Sequence, residues 1–259
     1  MKTIRNMLVA VSVSLSCGSE AAILLNAGTT YTQNFDSMGT SQTLPEDWQI
    51  TFNDLFTYPL NNPYLDSSSS LDFQVSSGTP TTPGTYNFGS AGGLDRAVGS
   101  IPYSTFSTEN SLSSLLLAHF RINDPAITSL RISYDVETYV IGESPILTVL
   151  GLYSSSQVPT DWRYLASSLG AGSATGHYFT APPSKTVNKV LTSANFTTGD
   201  LYLIFQFNGE GANGLALDNV SVTAIPEPGS ILLLMSGIML ACRRNRPHRS
   251  FLVGVSPGF

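Results

Sequence analysis

From Leu130 to Val140 the chain alternates side chains of opposite character with almost no interruption. Leu130, Ile132, Tyr134, Val136 and Val140 fall on one face of an extended segment; Arg131, Ser133, Asp135, Glu137 and Tyr139 fall on the other. Successive side chains of a strand point to opposite sides, so this period of two predicts a strand with one buried face and one solvated face. Leu71, Phe73 and Val75 alternate with Asp72 and Gln74 in the same way, and Leu201, Leu203, Phe205 and Phe207 share one face of 201–208. Ile146 to Tyr153 is apolar on both faces, as a central strand requires. Further strands are expected at Thr30–Phe35, Trp48–Phe52, Arg96–Ile101, Leu116–Ile122, Trp162–Leu165 and Val187–Leu191. Only Ser111–Phe120 reads two ways, because Leu112, Leu115 and Leu116 also suit one helix face.

Ten or eleven short strands punctuated by Gly, Pro and Asn predict an all-β sandwich or jelly roll. No amphipathic helix recurs between strands, which argues against βαβ units. The low-complexity stretches, Ser67–Ser70 and Gly78–Gly84, are short enough to be loops, so residues 22–224 are expected to form a single β-sandwich domain. That body contains neither of the chain's cysteines, Cys17 and Cys242, and must be stable by core burial without an internal disulfide or a thiolate metal site. Its charge is also one-sided: between Ile23 and Ile225 lie 16 acidic and 6 basic residues. Such a surface repels phosphate backbones and excludes nucleic acid as a natural partner.

Both ends carry different chemistry. Residues 1–21 combine Lys2 and Arg5, the apolar run Met7–Leu15, and small residues at Ser19 and Ala21, the anatomy of a secretory signal peptide cut by signal peptidase after Ala21 or nearby. At the other end, Pro226-Glu227-Pro228 resists helix and central strand and is expected to be an extended spacer. The 13 residues Ser230–Cys242 are almost all apolar. As a helix they reach about 20 Å, short of a ~30 Å hydrocarbon core. Arg243, Arg244, Arg246 and Arg249 follow directly and extend the span by snorkelling, with the arginines cytoplasmic and the body outside. A short tail, residues 250–259, ends the chain.

These three parts in this order, residues 225–249, resemble the PEP-CTERM sorting signal, whose elements are a Pro-Glu-Pro step, a transmembrane helix and an arginine cluster. The resemblance implies an exosortase substrate: a bacterial protein held in the membrane through 230–242, then processed near Pro226, Glu227 and Pro228, and released to the cell surface or extracellular matrix, in association with exopolysaccharide. The body in turn resembles jelly-roll domains of secreted bacterial surface proteins, and more distantly the MAM-type adhesion sandwich. The matching pieces are Asn34-Phe35-Asp36-Ser37 with Leu44–Trp48, Tyr86–Ser90 with Asp95–Gly99, and Gly214–Val222.

Catalytic constellations are sparse. His119 and His177 are isolated and His248 lies in the tail, so no His-based metal spacing exists. There is no Gly-x-Ser-x-Gly elbow, and Gly89, Gly92 and Gly93 do not compose a phosphate loop. Asp135 and Glu137 share a strand face about 7 Å apart, a spacing that a retaining glycosidase could use. Some jelly-roll glucanases carry a third carboxylate where this chain has Val140, so a solvated outer face is the simpler reading and the chain is expected not to be an enzyme. Tyr103, Tyr139 and Tyr153 are candidates for a sugar-binding face. The expected role is a non-catalytic surface or matrix protein; the alternative is a carbohydrate-binding module or, further off, a jelly-roll glycoside hydrolase.

One irregularity bears on metal binding. Leu215 and Leu217 share a face and so do Val220 and Val222, but the pairs are out of phase, and a β-bulge at Asp218-Asn219 accounts for the slip. In the sandwiches that the chain resembles, the first and last strands lie together and an acid from each holds calcium. The resemblance therefore implies Asp36 and Asp218 as calcium ligands; an exposed bulge without an ion is the other reading.

Overall fold

The computed structural model describes residues 22–53, 73–76, 80–90, 92–101, 113–141, 147–156, 161–169, 176–177, 184–209 and 214–227. The signal segment, Leu71, Tyr103, residues 230–242 and the tail arginines lie outside the described residues, as does Pro228. Among the described residues there is no helix long and apolar enough to cross a membrane.

The strands are β1 (Ile23–Leu25), β2 (Thr30–Gln33), β3 (Trp48–Asn53), β4 (Phe73–Val75), β5 (Gly84–Phe88), β6 (Ala97–Ile101) and β7 (Ser113–Ile122). They continue as β8 (Ile127–Ile141), β9 (Leu147–Ser154), β10 (Arg163–Leu169), β11 (Gly176–His177), β12 (Ser184–Thr192), β13 (Gly199–Gly209) and β14 (Gly214–Pro226). They form two sheets. The first runs β1-β7-β13-β9-β10, with β3 beside β1 on the same edge of β7. The second runs β11-β8-β14-β6-β5-β4, with β12 also on β8 and β2 also on β14. Only β1–β7 and β4–β5 are parallel among these pairs.

The period-two faces meet between the sheets. Leu130, Ile132, Tyr134 and Val136 of β8 pack in one core with Leu201, Leu203, Phe205 and Phe207 of β13. The Tyr134 and Phe205 rings meet edge to face at 5.0 Å. This is the expected all-β sandwich, and burial of alternate residues from both sheets supplies its stability.

The ambiguous segment 111–120 is a strand where it is described. Leu116, Ala118 and Phe120 of β7 enter this core, whereas Leu115 and Leu117 join Leu152, Tyr202 and Ile204 in a cluster on the other side of the sheet. Flanked by β3 and β13, a central strand buried on both faces is apolar at every position, and that run also satisfies helical spacing.

The last strand extends further than the spacer reading predicts. Pro226 stands opposite Ile127 at an irregular end of the β14–β8 ladder, and the Glu227 N–H donates to the Ala126 carbonyl at 2.9 Å. Proline is tolerated there because a strand end or irregularity need not use its missing N–H.

Candidate functional site

Along one edge of β14 two shorter strands dock in succession. β6 pairs with Leu215–Leu217 and β2 with Val220–Thr223, which leaves Asp218 and Asn219 in the gap. On the opposite edge the register with β8 shifts between Asp218 and Ser221, and Asn219 adopts φ 50°. The phase slip in the sequence is thus a bulge. Asp218, opposite Asp135, is buried there at 2% exposure, while Asn219 at the bulge stands exposed. The Asn219 amide donates to Asp135 Oδ2 at 3.0 Å.

Asp36 reaches the same gap from the end of β2. Phe35, in the left-handed region at φ 58°, is fully buried against Trp48 with ring centroids 5.0 Å apart. The Trp48 indole N–H in turn donates to the Tyr31 hydroxyl at 2.8 Å. This aromatic plug anchors a 3-10 turn over Asp36–Met38, whose Met38 is also buried. Asp36 Oδ1 accepts the Arg96 backbone N–H at 2.9 Å, and Oδ2 accepts the Asn34 amide at 2.7 Å. Asp36 therefore ties the β2 end to the start of β6, on either side of Asp218.

Among the described residues no ion pair reaches the carboxylates of this gap. Burial is the main cause that pushes Asp218 up from 3.8 to about 8, with further repulsion from Glu137, Asp95 and Asp36. Burial likewise lifts Glu137 from 4.5 to about 7, against a hydrogen bond with Tyr139, while Asp95, Asp135 and Asp36 add repulsion. Asp218 Oδ1 and Glu137 Oε2 are buried without a hydrogen-bond partner among the described residues. A buried, unpaired carboxylate oxygen seeks a proton or a cation. The buried Arg96 guanidinium donates to the Ser76 carbonyl at 3.1 Å and forms no ion pair with these carboxylates among the described residues. Among the described residues no three His, Cys, Asp or Glu side chains converge as a ready metal cluster. A cation using Asp36 and Asp218 would accordingly draw its remaining oxygens from the backbone.

Asp135 and Glu137 do not form a solvated pair. Glu137 is 7% exposed, where the sequence pattern places it in solvent. Beyond Val136 the outer side of the second sheet carries an aromatic cluster of Tyr86, Phe88 and Tyr139, with Phe88 stacked on Tyr139 at 4.9 Å. Apolar burial on both faces ends the alternation there. Asp135 is occupied by Thr186 and Asn219. Of the tyrosines considered for a sugar platform, the two among the described residues are interior: Tyr139 belongs to this cluster and Tyr153 to the main core. His119 is buried, stacked on Tyr202 at 4.4 Å, and its Nε2 lies 3.1 Å from Asp200. Partial burial opposes ionisation of Asp200, but hydrogen bonds from His119 and Arg121 outweigh it and hold the carboxyl below its usual range.

A groove of about 300 Å³ opens beside the bulge, lined by Thr32, Gln33, Asn34, Asn219, Val220 and Ser221. Periodicity alone misses it, because β2 meets β14 only in the tertiary fold. The out-of-phase Asp218-Asn219 step is the one local signal that points there.

No protein-family model matches the chain, and no curated protein does. Among solved structures, the chain is similar to a cleaved adhesin domain of the Lys-gingipain of Porphyromonas gingivalis. The identity is 14% and the TM-score 0.44, over 76% of this chain and 99% of that one. Another cleaved adhesin domain of Lys-gingipain gives 13% identity and TM-score 0.43 over 75% and 98% of the two chains. The CBM22-1 xylan-binding domain from Paenibacillus barcinonensis gives 9% identity and TM-score 0.43 over 78% and 99%.

Proposed function

We propose that the chain is an exported, non-catalytic carbohydrate-binding β-sandwich of the bacterial cell surface. The observation that carries this reading is the outer face of the second sheet. Strand register aligns Thr32, Ser221, Ser133 and Asn188 in one row across β2, β14, β8 and β12, and Thr30, Thr223, Arg131 and Val190 in the next. The Thr30 and Thr223 hydroxyls lie 3.0 Å apart. Apart from Arg131 and the exposed Val190, these two rows present hydroxyl and amide groups rather than acids and bases, which suits a hydroxyl-rich polymer. Hydrolysis is disfavoured because Glu137 is buried and Asp135 is already hydrogen-bonded.

The terminal segments supply the address: signal peptidase removes residues 1–21, the 230–242 helix holds the chain in the membrane, and exosortase acts near Pro226-Glu227-Pro228. Calcium is the cation proposed for Asp36 and Asp218. It would neutralise the buried carboxylates and brace β2 against β6 across the gap. The orphaned Asp218 oxygen supports this reading.

Retention of the purified chain on immobilised exopolysaccharide, xylan and β-glucan tests the proposal. Saturable retention without release of reducing ends is expected. Failure to bind any of these polymers, or hydrolysis abolished by Glu137→Gln, would overturn it. Fractionation of expressing cells tests the address separately: the body should be outside the cytoplasm, with the unprocessed form in the membrane.

A further inference from the structure

We infer that the groove at the β2–β14 junction is a recognition subsite for a single neutral sugar residue, a deepening that rests on the carbohydrate-binding reading above. Its walls are Thr32, Gln33, Asn34, Asn219, Val220 and Ser221, and among the described residues no ionisable side chain lines it. About 300 Å³ lies at the small end for ligand sites, room for a sugar ring rather than a long chain segment.

The amides are held in place from behind. Gln33 Oε1 accepts the Phe35 N–H at 2.7 Å, and its side chain also bonds Tyr31, so it forms a fixed wall. Asn34 donates one amide hydrogen to Asp36 and Asn219 donates one to Asp135. Each amide therefore keeps a second N–H, and Asn219 also keeps its carbonyl oxygen. A planar amide with an adjacent donor and acceptor matches vicinal hydroxyls of a pyranose, each of which both donates and accepts. The Thr32 and Ser221 hydroxyls, paired in register across the two strands, add two more adaptable groups.

Two backbone outliers border this space: Phe35 at φ 58° and Asn219 at φ 50°. Non-glycine residues reach that region at a cost, and such strain gathers where a structure must aim a particular group. The strain at Phe35 is anchored by burial of its ring. At Asn219 the bulge turns an otherwise extended strand so that an amide stands exposed at the groove. Two acids, Asp36 and Asp135, stand directly behind the amides, so uronic or sulfated sugars meet like charge. The ligand class is a neutral hexose or pentose unit. Among the described residues no aromatic ring lines the groove, so affinity rests on hydrogen bonds and on repetition along a polymer.

Isothermal titration of the full chain with xylotetraose, cellotetraose, galactotetraose and trigalacturonate tests the assignment. Asn219→Gly is the informative variant, because glycine accepts the left-handed backbone and the bulge survives. Thr32→Val, nearly isosteric at an exposed position, removes a hydroxyl. Binding of at least one neutral tetrasaccharide is expected, weakened about tenfold or more in Asn219→Gly at an unchanged or raised melting temperature, and weakened in Thr32→Val. Neutral binding unaffected by both variants would remove the groove and leave the carbohydrate-binding reading standing. Binding of trigalacturonate alone would overturn the neutral-sugar assignment. No binding of any probe would overturn both.

Discussion

Replacing Asp218 with Asn should make the protein more stable at neutral pH, because the native fold buries a carboxyl that water would ionise. The folded-state value is about 8 against an ordinary 3.8, with burial as the chief cause. The folded state therefore holds a proton that the unfolded state has released throughout the interval between those values. Since the native state binds more protons, stability must fall as pH rises. One proton contributes a slope of about 1.4 kcal/mol per pH unit, so Asp218 alone should remove about 3 kcal/mol between pH 5 and pH 7. The loss levels off above pH 8, once the folded carboxyl is also ionised. Asn has nothing to titrate, so Asp218→Asn should follow a shallower line by that slope, the rest of the dependence coming from Glu137 and other acids. Urea denaturation of both chains at half-unit pH steps, in chelator, measures the difference. Parallel stability profiles for wild type and Asp218→Asn between pH 5 and pH 7 would refute the argument, since they would mean that Asp218 is solvated in the folded protein.

Calcium should compensate the same charge: the wild-type melting temperature should rise with calcium above its dissociation constant, most strongly at pH 8, and Asp218→Ala should lose the rise, as scanning calorimetry would show. Gly99→Ala should cost at least 1–3 kcal/mol, because an added Cβ would lie 1.9 Å from the Leu215 carbonyl oxygen of the paired strand; denaturant melts read this directly. Tyr134→Phe should be neutral or stabilising by up to about 1 kcal/mol, since the buried Tyr134 hydroxyl has no hydrogen-bond partner among the described residues; a destabilised variant in the same melts would point to a partner or water bound there. Replacing Arg243, Arg244 and Arg246 with Ala together should impair retention and processing of the tail, visible as a change in the ratio of precursor to mature form on immunoblots.

Secondary structure was legible wherever a strand has one wet face. The alternation in 130–136 identified core residues because burial on one side and water on the other imprint directly on side-chain type; in 201–207 Leu201, Leu203, Phe205 and Phe207 marked the core although Tyr202, Ile204 and Gln206 on the other face are buried as well. The bulge at Asp218-Asn219 was legible for the same reason: a one-residue insertion inverts the phase of everything after it. The imprint fades where both faces are dry. Leu115–Leu117 lost its strand signature for that reason, and Glu137 and Tyr139 were misread as solvent-facing because a second apolar cluster covers them.

Local pattern by itself thus determined an all-β chain, most of its strand positions and the bulge, and set the expectation of address segments at its ends, since each depends on neighbours within a few residues. Only the tertiary structure decided which strands lie side by side. Asp36 and Asp218 are 182 positions apart in the chain, and they face one gap because β2 and β6 dock in succession on the same edge of β14. The same docking converts Asn34 and Asn219 from two unremarkable polar residues into opposite walls of one groove. Strand pairing of this kind depends on the summed burial of two whole sheets rather than on any local sequence. The unusual ionisation of Asp218 depends on it too, because desolvation is a property of the surroundings and not of the residue.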